Sequence, residues 1–208
     1  MPQLRSLCEL LQKTLPSLCG VILHGSAATS GFEPDRSDLD VLASTTSDPA
    51  TAEPWERVSL RSLLPLEFSL VPVQALKHRS HSCRHLLHFG DNTADRFRAG
   101  DFAPQSNTDG DLTMHLVVAH AHGLDLLGGF PPLDMSSMPE RDFLVALQSD
   151  FEWAKAKGNA LAVYALSNAA RTLAYLREGT VLSKVEGRAW RAKQGLDEHS
   201  LVAVSNAE

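Results

Sequence analysis

Residues 21–40 read VILHGSAATSGFEPDRSDLD, the segment of this chain that states a chemistry most directly. An apolar, partly β-branched run ends in Gly25-Ser26. Two carboxylates, Asp38 and Asp40, then follow one residue apart at the start of a second apolar run, LDVLAS. In a strand, residues i and i+2 point to the same face, so Asp38 and Asp40 are expected side by side. Adjacent anions repel unless a positive charge lies between them. A hard divalent cation such as Mg2+ meets that need, because it takes oxygen ligands at about 2.0–2.1 Å and commonly keeps substrate phosphate oxygens among them. Gly25 lets the backbone come close to a phosphate, and Ser26 with the amides around it can donate to one. The segment reads as a site for a nucleoside triphosphate and a metal. Taken singly, Gly-Ser after a strand and Asp-Leu-Asp at a turn are ordinary loop chemistry.

A third carboxylate strengthens the reading. The run PLEFSLVPV, Pro65 to Val73, alternates enough to predict a strand, with Glu67 near its start among apolar neighbours. A single glutamate is weak evidence alone, and the lesser alternative is an edge-strand residue facing water.

Strand, Gly25-Ser26, a gap of eleven residues and then Asp38-Leu39-Asp40 together resemble the signature of the DNA polymerase β-like nucleotidyltransferase superfamily. The resemblance narrows further along. LHGSAATSGFEPDRSDLDVL, LEFSLV, HFGDNTADRFRAGDFAP, GLDLLGG and ARTLAYLREGTVLSKVEGRAW are similar, in order, to blocks of the aminoglycoside adenylyltransferases that act on streptomycin and spectinomycin. That resemblance implies Mg2+ on Asp38 and Asp40, with Glu67 as the third acidic residue, either a general base or a further metal ligand. It implies that Gly25, Ser26 and, more weakly, Ser37 hold the phosphates of ATP. Arg171 in the block ARTLAYL, and Lys184 in the loop SKVEG, are similar to family positions that face the triphosphate, where they would neutralise charge as pyrophosphate leaves. Each could equally be the solvated cation of a helix surface. One departure stands out: the family carries acidic residues just before that helix to meet the drug's amines, whereas KAKGNALAVYALS is apolar or basic here. Asp150 and Glu152 lie upstream of it.

The implied reaction is transfer of AMP from ATP to a hydroxyl of a small-molecule acceptor, with aminoglycosides among the candidates, and release of pyrophosphate. A reading from another class is a nucleotidyltransferase-type antitoxin or regulatory protein that binds or adenylylates a partner protein. A minimal antitoxin would be near half this length. A lincosamide or other small-molecule nucleotidyltransferase is a closer alternative.

Composition bounds these readings. A chain of 208 residues, 43% of them apolar, can bury a substantial core. No run is long enough to span a membrane, and no basic segment precedes an apolar one as in a signal peptide. Three scattered cysteines, Cys8, Cys19 and Cys83, suit reduced thiols in a cytoplasmic protein better than a disulfide framework. The net charge of -6, without a Lys/Arg-rich run, makes a poor general nucleic-acid binder and suits a cationic acceptor. Oligomeric state is not legible.

The expected fold is α+β: a nucleotidyltransferase domain over 1–104 with a mixed sheet, then a helical bundle over 105–208. Leu4, Leu7, Cys8, Leu11 and Leu15 recur at helical spacing before Pro16. Strands are predicted near 20–25, 39–45 and 66–73, with SDPATAEPWERVS between the last two. DLTMHLVVAHAHGLDLLG, ERDFLVALQSDFEWAKAK and NALAVYALSNAARTLAYLREG read as helices. His78, His81, His85 and His88 fall at steps of three and four, which predicts a helical stripe. Such a stripe could hold Zn2+, although the segment resembles a family stretch that binds no metal. His115, His120 and His122 read as bundle residues.

Overall fold

The computed structural model describes residues 2–29, 31–34, 37–47, 65–77, 83–90, 93, 95, 99, 108–133, 140–156 and 162–196. Helix α1, Pro2–Thr14, buries Leu4, Leu7, Cys8 and Leu11, and Leu15 closes its end below. That apolar stripe is what the helix needs in order to dock on a sheet. The strands are β1 (Leu18–His24), β2 (Leu39–Thr45), β3 (Leu66–Pro72), β4 (Cys83–Arg84), β5 (Leu87–Phe89), β6 (Thr108–Asp109) and β7 (Leu124–Asp125). Five of them form one sheet in the order β5-β3-β2-β1-β7, and β4 pairs with β6 in a small second sheet. β2 and β3 run parallel, while β1–β2, β1–β7 and β3–β5 are antiparallel. The sheet is therefore mixed, as expected.

Alternation along the strands sorts their side chains cleanly. Val21, Leu23, Leu39, Val41, Ala43, Leu66, Phe68, Leu70, Leu87 and Phe89 join the α1 stripe in one buried cluster. The intervening residues His24, Asp40, Glu67, Ser69 and His88 take the opposite face, together with the buried Ile22, Leu42 and Val71. Burying Phe68, Leu70, Val41 and their neighbours, each worth about 1.5–3 kcal/mol, fixes the register. A slip of one residue would bring the polar set into the core.

Short helix α2 (Val73–Lys77) follows β3, and α3 (Asp111–His122) packs against β1. Gly123 ends α3, where a Cβ would strike Ile22 Cδ1 at 2.5 Å. The segment expected to be one helix through GLDLLG instead turns there into strand β7. Its Asp125 carboxylate accepts the amides of Leu127, Gly128, Gly129 and Phe130 at 2.9–3.1 Å. Burial opposes ionisation of Asp125, but these four donors outweigh it and lower its pKa.

The remaining helices are α4 (Glu140–Ala156), α5 (Ala162–Glu178) and α6 (Lys184–Lys193). Phe143 and Tyr175 join α4 to α5 in an edge-to-face pair with ring centroids 4.5 Å apart. Asn168 donates to the buried Asp150 across the same interface. Gly179 stops α5 at φ 66°. Trp190 Nε1 donates to Glu178 Oε1 at 2.7 Å, tying α6 back to the end of α5.

The chain divides into two compact units, Met1–Pro139 and Glu140–Glu208. Composition changes at Pro104, but α3 and β7 complete the sheet unit because both lie against β1. His115, His120 and His122, expected in the bundle, therefore belong to the sheet unit. The helical histidine stripe is also corrected. Cys83–Arg84 and Leu87–Phe89 are strands, where a three-and-four spacing does not make a common face, and His78 and His81 lie outside the described residues. SDPATAEPWERVS is largely outside them as well. Cys8, Cys19 and Cys83 are free thiols. Among the described residues no helix is long and apolar enough to cross a membrane.

Candidate active site

Register builds the site. Across three adjacent strands His24 pairs with Asp40, and Asp40 pairs with Glu67, so one transverse row holds an imidazole and two carboxylates. Asp38 precedes β2 by one residue and returns to the same face as Asp40. One ligand oxygen from each of Asp38, Asp40 and Glu67 lies within 4.8 Å of the others, and all three residues are partly buried. Like charges directly opposite in a sheet are destabilising, so this row is unfavourable on its own. Hard oxygen donors converging this closely fit a hard divalent cation.

The Gly25-Ser26 turn closes over the carboxylates. Residues Gly25–Ala28 form a single 3₁₀ turn at the end of β1. Gly25 has φ 63°, and a Cβ there would lie 1.8 Å from Asp40 Oδ2. Only glycine meets both demands. The hydroxyl of Ser26 is buried without a hydrogen-bond partner among the described residues, an uncommon state for a polar atom. Ser37 closes a local loop with Glu33. Its hydroxyl accepts the Glu33 amide at 3.0 Å and its own amide donates to Glu33 O at 2.7 Å.

Two histidines, not expected in the site, stand behind the carboxylates. His115, projecting from α3, brings Nε2 to 3.6 Å from Glu67 Oε1. Its ring lies 5.2 Å from that of His24, tilted by 50°. His24 is buried, and burial, followed by the neighbouring His115, holds its pKa well below the ordinary 6.5. At His115 burial also favours the neutral form, but Glu67, Asp40, Asp109 and Asp111 together outweigh it and raise the pKa. The apolar periodicity of α3 holds no cue that His115 meets the site, since the contact depends on how α3 crosses the sheet. Beside Glu67, Gly90 would bring a Cβ within 3.8 Å of its Cγ, and His88 Nδ1 lies 3.0 Å from Ser69 Oγ.

In the second unit, Arg171 lies partly buried in α5, where a Cβ on Gly187 of α6 would come 2.7 Å from its Cγ. Lys184 is exposed and is not in a loop: it opens α6. Ser183 and Glu186 form a capping box, with Ser183 Oγ accepting from the Glu186 amide and Glu186 Oε2 accepting from the Ser183 amide. The sequence S-K-V-E carries that signal. Asp150 is buried against Asn168, and Glu152 is exposed.

A mixed sheet with a Gly-Ser turn over three carboxylates, followed along the chain by a helical unit, is an α+β architecture. Residues 135–205 match the family model of the aminoglycoside adenylyltransferase C-terminal domain. Among solved structures the chain is similar to spectinomycin adenyltransferase AAD(9) from Enterococcus faecialis, whose crystal structure contains ATP and spectinomycin. The two share 21% identity over 89% of this chain and 79% of that one, with a TM-score of 0.73. A search of curated proteins gave no match. The chain thus resembles aminoglycoside adenylyltransferases in its fold and, over residues 135–205, in its sequence.

Proposed function

We propose that this protein is an adenylyltransferase that moves AMP from ATP to a hydroxyl of a small, amine-bearing acceptor of the aminoglycoside type, releasing pyrophosphate. The observation that carries the reading is the convergence of Asp38, Asp40 and Glu67 within 4.8 Å beneath the Gly25-Ser26 turn. Those carboxylates would hold Mg2+, which when bound supplies positive charge to the phosphates and to the departing pyrophosphate. Ser26 offers an unsatisfied hydroxyl to a phosphate oxygen. Gly25 keeps the turn close to Asp40 without a side chain between them. Ser37 keeps its hydroxyl hydrogen available while accepting from Glu33.

Glu67 is the residue suited to take the acceptor's hydroxyl proton. The acceptor oxygen then bonds to the α-phosphorus as the bond from that phosphorus to pyrophosphate breaks. Arg171 and Lys184 are assigned to the triphosphate, where each would offset negative charge. A cytoplasmic setting fits three free thiols. The match over residues 135–205 favours a small-molecule acceptor over the antitoxin reading.

The test is pyrophosphate release from ATP and Mg2+ across streptomycin, spectinomycin, a lincosamide and a protein acceptor. Acceptor-dependent release with an aminoglycoside supports the proposal. Release with the protein acceptor alone would move it to the regulatory class, and no release with any acceptor would remove the activity.

A further inference from the structure

A glutamate on a strand has three side-chain torsions, and left to itself its carboxylate samples several positions. A general base works only when held at the proton it must take, so something has to restrict Glu67. Asp40, its neighbour across the sheet, repels it. Gly90 offers no side chain on the other side. Among the described residues, a group that reaches Glu67 from outside the sheet is His115, with Nε2 3.6 Å from Oε1.

His115 is itself well supported. Its ring rests against that of His24, which is 3% exposed and is the register partner of Asp40. The start of α3 is held by the Asp111 amide donating to Asp109 Oδ1 at 2.9 Å, and its end by Gly123 set on Ile22. The flanking residues Thr113, Leu112 and Leu116 are buried, so α3 cannot slide without opening the core. The side chains of His115 and Glu67 are 22% and 27% exposed, which leaves their contact partly sheltered from solvent.

We propose that His115 is a positioning residue for Glu67: its ring, braced by His24 and with Nε2 3.6 Å from Oε1, keeps the Glu67 carboxylate turned into the cluster with Asp38 and Asp40 by close polar contact. This inference rests on the adenylyltransferase reading only for its kinetic consequence. The contact itself is independent of turnover.

Two variants and one spectroscopic measurement test it. His115→Leu removes the polar contact while keeping an apolar side chain in place, and His115→Gln puts an amide nitrogen close to where Nε2 stood. With ATP, Mg2+ and spectinomycin as the acceptor, His115→Leu should lower kcat by roughly 10- to 100-fold, the usual effect of a misplaced reacting group, with KM for ATP nearly unchanged. His115→Gln should recover most of that loss. Equal kcat in the two variants, or a change confined to KM, would overturn the role. Two-bond 1H–15N correlation spectra of the wild type need no activity. They should show hydrogen on Nε2 of His115 and a change in that signal in Glu67→Ala. Hydrogen on Nδ1 alone, or a His115 signal indifferent to Glu67→Ala, would overturn the contact. Absence of turnover in the wild type, with the spectra as expected, would count against the activity and leave the contact established.

Discussion

The Asp40 carboxylate fills the space that a side chain on Gly25 would need: a Cβ on Gly25 would fall 1.8 Å from Asp40 Oδ2. The residue also sits at φ 63°, which costs an L-residue about 1–2 kcal/mol. Gly25→Ala should therefore lower stability by at least that amount and push Asp40 out of the cluster. Thermal melting with and without ATP and Mg2+ checks both effects. A variant that keeps the full metal-dependent shift would show that Asp40 does not depend on the turn.

Asp38→Asn and Asp40→Asn should each abolish transfer, because each removes a charged oxygen from the cluster. Neither should weaken the metal-free fold, since both relieve repulsion between neighbouring carboxylates. Melting in the presence of a chelator should be equal to wild type or higher. Near-normal turnover in either variant would disprove the metal assignment.

Glu67→Gln keeps the shape of the side chain and removes its basicity. If Glu67 takes the acceptor's proton, turnover should fall by roughly 10²–10⁴ while ATP affinity changes little. If it serves chiefly as a ligand, Mg2+-dependent ATP binding should weaken as well. Calorimetric titration beside the rate assay separates the two.

His24 gives stability a pH dependence of definite sign. Its folded-state pKa lies well below 6.5, so in the window below 6.5 the unfolded chain binds a proton that the native chain does not. Stability then falls as pH drops through and below 6.5. His115, raised by its carboxylate neighbours, acts in the other direction: its contribution is present below 6.5 and is lost as pH rises through its folded value. The clean measurement is the difference between wild type and His24→Leu in denaturant melts from pH 8 to pH 5. The wild type should lose stability relative to the variant on acidification, and a flat difference would contradict the assignment.

Gly187→Ala should reproduce, in weaker form, the effect of Arg171→Ala. Its new methyl would press on Arg171 Cγ and displace the guanidinium. Both should raise KM for ATP. Lys184→Ala should do the same without disturbing α6, whose start is held by Ser183 and Glu186. Unchanged KM in all three would free these cations from the nucleotide.

Sequence patterns carry the site as far as strand chemistry reaches. The i, i+2 rule brings Asp38 and Asp40 to one face, and the alternation around Phe68 brings Glu67 to theirs. What such patterns cannot supply is crossing geometry. His115 sits in a helix whose residues are buried nearly all round, so no polar face points to the carboxylates. His24 reads as the end of an apolar strand. Over the described residues 83–89 the histidine spacing imitates a helix because a periodicity of three and four says nothing about the strand pairing found there. Lys184 differs, since the capping box that puts it in a helix is a local signal already present in S-K-V-E.

The parallel pairing of β2 with β3 also governs the order in which the protein can acquire its site. β1 and β2 are antiparallel and close in sequence, so they can pair early. β3 joins through a longer connection, and such non-local pairings form slowly. Until it docks, Asp40 has no Glu67 beside it and His115 has no partner to hold. A nucleotide that needs all three carboxylates would find nothing to bind in the folding transition state if β3 is still loose there. Added ATP and Mg2+ would then lengthen the lifetime of the folded protein while leaving its rate of formation unchanged.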